Sequence, residues 1–502
     1  MKLLHAPSGV LALGLAVSLS ACGGDEPAAS GAALRYVTVG APATATHDPH
    51  GGIINQSDLV RFGLLYDVLT KPRPDGTTEM RLATSFTPDA KLTTWTVRLR
   101  TDATFSDGRP VRAADALFSL RRVHAKAAEN FGRLLMFDVA RSRAVDDHTL
   151  ELRTTAPYAE VPRALESISF VVPDGTRTFD RPAPGSGPYA MTGGDLQNTV
   201  LERKDAWWGE RPPTRRIEVR AVIDPGARAQ AVLSRQADVA IGVNPATARQ
   251  VKGNEDVTIV HRPAMTMYPF VMRLDREPFD DPRVREAIKL ATDRRELLDK
   301  VFLGYGRLGN DLLTPADPSS PGDVPQRTRD LAQARDLLRQ AGHGDGLTLT
   351  LSTTTSYPGM DTAATLFGRQ LGEAGITVKV VNEPPDTYWT EVFAKKDFYT
   401  GFFGGIPFLD VARVSLLGSA PTNETAWKRP AWDEGFAAAL ATADPAKRRA
   451  ALGALQREIH DEGGYVVWAA GDGLDLTSAK VADLPTGAGF GSNFIERTRL
   501  LP

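Results

Sequence analysis

Between positions 92 and 100 the chain alternates, with Trp95, Val97 and Leu99 on one side and Thr94, Thr96, Arg98 and Arg100 on the other. That period of two predicts a half-buried strand. At Ala113, Ala116, Leu117 and Leu120 the apolar residues recur at helical spacing, with Asp115, Arg121 and Arg122 on the far side. The same spacing predicts a helix carrying Phe62, Leu65, Tyr66 and Leu69, stopped by the turn Lys71-Pro72-Arg73-Pro74-Asp75-Gly76. A strand is expected at 34–39, and Thr46-His47-Asp48-Pro49-His50-Gly51-Gly52 after it reads as a loop. Residues 217–222, 226–236 and 239–241 read strand, helix, strand, a β-α-β unit that implies parallel pairing. Further strands fall at 257–260 and 270–274, separated by Arg262-Pro263.

The second half repeats helix and strand. Asp281 before Pro282 is a cap followed by a first-turn proline, and Val284, Ala287, Ile288 and Ala291 mark the buried stripe behind them. Leu331, Ala334, Leu338 and Ala341 form a helix ending at Gly342, followed by a strand with Leu347, Leu349 and Leu351. Ala363, Leu366, Phe367, Gln370, Leu371 and Ala374, closed by Gly375, give another helix, with a strand at 376–381. Asp444-Pro445 starts the helix of Leu452, Leu455 and Ile459, Gly463-Gly464 ends it, and 465–468 is a late strand. Two α/β regions therefore lie in series, with a more irregular, β-rich insertion at about 71–184 in the first.

Composition narrows the class. Hydrophobic residues make up 42% and charged ones 24%, the balance of a soluble globular protein, and the net charge of −2 comes from interspersed acids and bases. A nucleic-acid partner or a polybasic membrane patch is therefore not expected. The only cysteine, Cys22, follows an apolar run over 10–19 and the small residues Ser20-Ala21, so 1–22 reads as a secretory signal. An ordinary signal peptide cut near Ala21 is the plain alternative. Residues 23–33 are Gly, Ala, Ser, Pro and acid without apolar period, and are expected to be a flexible tether.

Longer strings carry a resemblance. Leu65-Tyr66-Asp67-Val68-Leu69, Pro74-Asp75-Gly76, Leu82-Ala83-Thr84-Ser85-Phe86, Thr94-Trp95-Thr96-Val97-Arg98-Leu99-Arg100, Phe105-Ser106-Asp107-Gly108 and Ala114-Asp115-Ala116-Leu117-Phe118-Ser119-Leu120 occur in this order. Gly185-Ser186-Gly187-Pro188-Tyr189, Leu201-Glu202-Arg203 with Trp207-Trp208-Gly209, and Pro278-Phe279-Asp280-Asp281-Pro282-Arg283-Val284-Arg285 follow. Together they resemble the dipeptide- and oligopeptide-binding, family 5 extracellular solute-binding proteins that serve bacterial ABC importers. Leu19-Ser20-Ala21-Cys22 likewise resembles a lipoprotein lipobox, which implies lipidation at Cys22 and a membrane held by the lipid anchor only.

The resemblance implies an α/β, type II periplasmic-binding-protein-like fold: two lobes with a hinge plus an extra inserted β-rich domain. Expected boundaries are 34–260 for lobe one, with the insert at 71–184, 261–470 for lobe two, and 471–502 returning to lobe one. The crossings are expected near 261–264 and at Gly471-Asp472-Gly473, where glycines would absorb hinge rotation. It implies a monomeric receptor that captures a small-molecule or peptide solute and delivers it to permease subunits, with no cofactor.

Candidate contacts follow by position: His50, Gly51 and Gly52 in the first-lobe loop, Asn130 and Phe131 at the tip of the insert, Met265 and Met267 at the first crossing, and Tyr388 and Trp389 at a lobe-two helix start. In relatives an aspartate in a lobe-two loop receives the ligand's α-amino group. The matching stretch here, Gly401-Phe402-Phe403-Gly404-Gly405-Ile406-Pro407-Phe408-Leu409-Asp410, reaches its first acid only at Asp410. Gly404 and Gly405 would offer backbone N–H groups, with Ile406 beside them. Phe402, Phe403 and Phe408 would supply apolar walls or, equally, core packing. A non-peptide solute such as an oligosaccharide, opine or metal chelate is the alternative cargo.

Catalysis finds little support. The sequence has no Gly-x-Ser-x-Gly, His-Glu-x-x-His or phosphate-loop motif, so a secreted hydrolase is the weaker alternative. His47 and His50 lack a further Cys or His nearby and read as loop residues, Trp95, Trp207 and Trp208 read as structural, and His460-Asp461-Glu462 reads as a solvated helix end.

Overall fold

The computed structural model describes residues 33–502 apart from 52–54, 127–133, 167–168, 358 and 488. Cys22, Gly52, Asn130 and Phe131 lie outside the described residues.

The first lobe is built on a nine-stranded mixed sheet. Leu34–Thr38 lies at its centre, parallel to Arg216–Ala221 on one side and to Val239–Ala240 on the other. The helix Pro225–Leu233 joins those two flanking strands, with Asp224 accepting from the Ala227 N–H at 2.6 Å. The β-α-β unit expected from the sequence is thus parallel, but its strands do not touch, because the earlier strand lies between them. The predicted helix over Phe62, Leu65 and Tyr66 is Gln56–Leu65, and it stops before Leu69. Its Leu65 carbonyl accepts instead from the Gly187 N–H at 2.9 Å, and Tyr66 is already extended.

The insert carries an antiparallel sheet in the order Ala83–Pro88, Thr94–Leu99, Thr149–Arg153, Arg143–Asp146. In Thr94–Leu99 the residues Trp95, Val97 and Leu99 are buried while Arg98 is exposed, so the period of two holds residue by residue. Trp208 is held by its indole N–H to Asp67 at 3.0 Å and by the Arg100 guanidinium 3.5 Å above its ring, a structural role.

The second lobe is a five-stranded sheet in which Leu347–Thr353 runs parallel to Ile376–Asn382 and to Phe398–Thr400, with Phe270–Met272 and Tyr465–Val466 at the other side. Asp281 caps Pro282–Ala291 and Asp444 caps Pro445–Glu462, each through its side chain. The apolar core of the insert is continuous with that of the second lobe: Val97, Leu120 and Leu150 belong to one buried cluster with Phe270, Phe367 and Trp468.

Two long strands join the lobes, Val257–Met267 and Ala469–Ser478, paired antiparallel. The break expected at Arg262-Pro263 is not the end of a strand. It is a bulge: pairing stops at Arg262 opposite Gly473 and resumes at Thr266 opposite Gly471, and Ala264 takes φ 54° between them. Proline has no N–H for the ladder, so the chain arches over it and continues.

The glycines on the returning strand, where hinge rotation is expected from sequence, are closely packed. Neither has a positive φ. A Cβ on Gly471 would lie 2.9 Å from the Phe302 ring, and one on Gly473 would lie 3.0 Å from the Met265 side chain. Close packing leaves no room for a side chain at either position.

Candidate interlobe ligand site

Parallel α/β sheets bind ligands beyond the carboxyl ends of their strands. In the second lobe three such ends carry aromatic residues. Tyr357 follows Leu347–Thr353, Trp389 follows Ile376–Asn382, and Phe402 follows Phe398–Thr400. Tyr357 and Phe402 stack at 4.1 Å and 1°, Trp389 meets Tyr357 edge-on at 6.0 Å, and Tyr268 stands 6.2 Å from Phe402. Tyr357 is exposed and Phe402 and Trp389 are half-buried, so this wall has a surface to offer.

Neighbouring candidates are placed otherwise. Tyr388 is fully buried and its hydroxyl donates to the Thr400 carbonyl at 2.8 Å and the Ser352 carbonyl at 3.2 Å, tying two strands together. Phe403 pairs with Met267 in a two-residue strand, and both are buried. Phe408 is buried edge-on to Trp432 and Phe436. Gly404 pairs with Thr266 and its carbonyl accepts from the Ile406 N–H at 2.8 Å. Gly405 and Ile406 are half-buried, and a Cβ on Gly489 would come within 3.1 Å of the Gly405 carbonyl. Met265 sits half-buried on the bulge against Gly473.

In the first-lobe loop His50 is fully buried. Its Nε2 lies 2.7 Å from the Phe170 carbonyl and its Nδ1 accepts from Arg122 Nε at 3.2 Å. Burial lowers its pKa to about 4, so the ring is neutral and braces the loop. Asp48 beside it takes Arg122 and Lys126, each at 2.8 Å. Gly51 is half-buried.

A polar seam joins the insert to the second lobe. Tyr158 meets Arg413, the Ala159 N–H donates to the Leu440 carbonyl at 2.8 Å, and Glu160 pairs with Arg448. Arg163 reaches Asp317 at 2.7 Å, and the same carboxylate oxygen accepts from the Phe408 N–H at 2.9 Å. Asp410, at the end of the candidate loop, pairs with Arg413 at 3.5 Å. Glu166 stands behind them, and burial raises its carboxyl to about 7; a hydrogen bond from Thr78 and the charge of Arg163 oppose this, and Glu160 and Asp410 add to it.

Reasoning from sequence missed Tyr357, Arg163, Glu166 and Asp317. Glu166 left one signal, an isolated acid in the otherwise apolar and small stretch 164–172. His460 also differs from expectation. It is buried, with Nδ1 2.6 Å from Asp461, and its carbonyl accepts from the buried Lys289 Nζ at 2.7 Å. Among the described residues no group of three or more His, Cys, Asp or Glu is placed to hold a metal, and no helix is long and apolar enough to cross a membrane.

Comparison with known proteins fits this geometry. Residues 77–419 match the family described as bacterial extracellular solute-binding proteins, family 5 (middle). The glutathione-binding protein GsiB of Escherichia coli K12 is 26% identical over 479 residues, covering 91% of this chain and 92% of that protein. Among solved structures, Helicobacter pylori DppA in complex with the peptide STSA superposes with a TM-score of 0.76 at 18% identity, covering 94% and 98% of the two chains. Campylobacter jejuni NikZ in complex with Ni(L-His) gives 0.77 at 17% identity, covering 93% and 99%. The two-lobed architecture with its inserted domain is that of a type II periplasmic binding protein.

Proposed function

Because the chain belongs to the bacterial extracellular solute-binding proteins of family 5, we propose that it captures a peptide or peptide-like solute between its lobes and delivers it to a membrane permease. It is the substrate-binding component of an ABC importer and not an enzyme. The observation that carries the peptide-like cargo is the likeness, over nine-tenths of both chains, to a protein named for binding glutathione, itself a tripeptide. The half-exposed aromatic wall of Tyr357, Trp389 and Phe402 supports it, since such rings cover the apolar parts of a peptide while polar groups at the seam fix its ends. Gly51, Met265, Gly404, Gly405, Ile406 and Asp410 are the remaining half-buried candidates for contact. His50, Met267, Tyr388, Phe403 and Phe408 act from behind, as packing.

The closed receptor is favoured only by contacts made with both lobes at once, because a ligand bound equally in open and closed forms shifts nothing. Micromolar capture corresponds to about −8 kcal/mol. A non-peptide solute such as an opine or metal chelate is the second reading, favoured by the lack of any acid before Asp410 in the loop. Anchoring through a lipidated Cys22, a monomeric state and partnership with permease subunits complete the proposal.

Mass spectrometry of the small molecules that co-purify with the protein, followed by thermal-shift screening of peptides, opines and chelates, tests it. A peptide that raises the melting temperature supports the reading; stabilisation by chelates or sugars alone overturns the peptide cargo. Cys22→Ala is expected to release the protein from membranes, and unchanged retention there overturns the lipid anchor.

A further inference from the structure

We infer that Glu166 is the point at which the cleft receives a positively charged group of its ligand, the ammonium of a peptide-like solute; this rests on the reading given above. Among the described residues, the seam between insert and second lobe brings together four carboxylates, Glu160, Glu166, Asp317 and Asp410, and three guanidiniums, Arg163, Arg413 and Arg448. Each arginine is engaged with a different acid: Arg448 with Glu160, Arg163 with Asp317 and Arg413 with Asp410. Glu166 is the acid left over. It is only 9% exposed, and its Oε1 is buried with no hydrogen-bond partner among the described residues.

A buried carboxylate without a counter-charge is costly, and proteins avoid it by pairing or by keeping the proton. The remaining surroundings of Glu166 do not pair it. Thr78 offers a hydroxyl, the charge of Arg163 is shared with Asp317 at 2.7 Å, and Glu160 and Asp410 repel. An ammonium brought into this seam would make the fourth cation and satisfy the free oxygen with a charge-assisted hydrogen bond. The second-lobe loop supplies no such acid earlier, since Gly404, Gly405 and Ile406 precede Pro407. Glu166, on the insert, lies in the same charged seam as Asp410 at the end of that loop. Uptake of a cation there favours the ionised carboxyl, so binding is expected to tighten as pH rises through the neutral range.

The test uses the purified protein with four probes: trialanine, N-acetyl-trialanine, glutathione and N-acetyl-glutathione, measured by calorimetry at pH 7.5. The wild type is expected to bind the free-amine probes at least tenfold more tightly than the acetylated ones. Glu166→Gln keeps the side-chain volume and removes the charge, and is expected to abolish that preference without lowering the melting temperature of the unliganded protein. If this variant does not fold, the wild-type pH profile decides: affinity for a free-amine probe is expected to rise between pH 6 and pH 7.5 while that for its acetylated form stays level. Equal binding of free and acetylated probes, a preference retained in Glu166→Gln, or identical pH profiles would overturn the inference and leave the peptide cargo standing. No binding of any of the four overturns both.

Discussion

Asp311 and Glu166 are both buried carboxyl groups, one inside the second lobe and one at the seam between lobes, and their protons behave in opposite ways. Burial pushes both pKa values upward. Around Asp311 that push is outweighed by Arg294, Lys289 and Arg327, which hold the carboxyl below its ordinary range. Arg294 grips both oxygens at 2.9 and 2.7 Å, Arg327 adds a contact at 2.9 Å, and the Val467 N–H donates at 2.9 Å. Glu166 has no comparable grip and rises to about 7. Desolvation is common to the two; the partners differ. A structural carboxylate is completed by its own chain, whereas a receiving one is left for something else to complete.

Breaking Asp311 is expected to have the largest effect. Asp311→Asn leaves the buried Arg294 without a counter-charge and takes from Arg327 one of its two acids, the other being Glu286, and a loss of about 3–5 kcal/mol is expected in urea unfolding. A loss under 1 kcal/mol would mean that the site resembles Glu166 after all. Asp317→Ala comes next. It removes contacts to Arg163, the Phe408 N–H and Ser319, and is expected to cost about 2 kcal/mol and to weaken capture of whatever solute co-purifies. Stability with unaltered capture would separate the seam from the binding site.

Smaller effects sharpen the comparison through pH. Glu424 is fully buried, and burial raises it to about 8, against hydrogen bonds from Ser415 and Tyr399. The folded chain therefore keeps a proton that the unfolded chain releases near pH 4.3, so stability falls as pH climbs from there through about 8 and is level above. Glu166 adds the same sign of dependence up to about pH 7. Glu424→Gln is expected to remove part of that fall and to raise the melting temperature at pH 8 by about 1–4 °C, with little change at pH 4.5. An unchanged slope of melting temperature against pH would show that Glu424 is already ionised.

Local rules read well from the chain. The alternation over Trp95, Val97 and Leu99 and the caps at Asp281 and Asp444 depend only on neighbours in sequence, and the fold keeps them. Where a distant segment intervened, the reading slipped. Gly187 took the Leu65 carbonyl and ended a helix early, and the strand paired with Arg262 and Thr266 carried Val257–Met267 past its proline. The cleft was legible as loops but not as surfaces. Phe402 and Phe403 are adjacent and chemically identical, yet one stacks on Tyr357 in a half-exposed wall and the other pairs into the core beside Met267.

By itself, then, the sequence determined the family, the repeated α/β pattern and the insertion, because hydrophobic period, capping residues and contiguous strings are properties of near neighbours. Only the tertiary structure decided that the insert shares its core with the second lobe. It also decided that Gly471 yields its Cβ space to Phe302, and that Glu166 is the unmatched charge among seven. Charge balance and close packing are sums over groups far apart in the chain, and no local pattern records them.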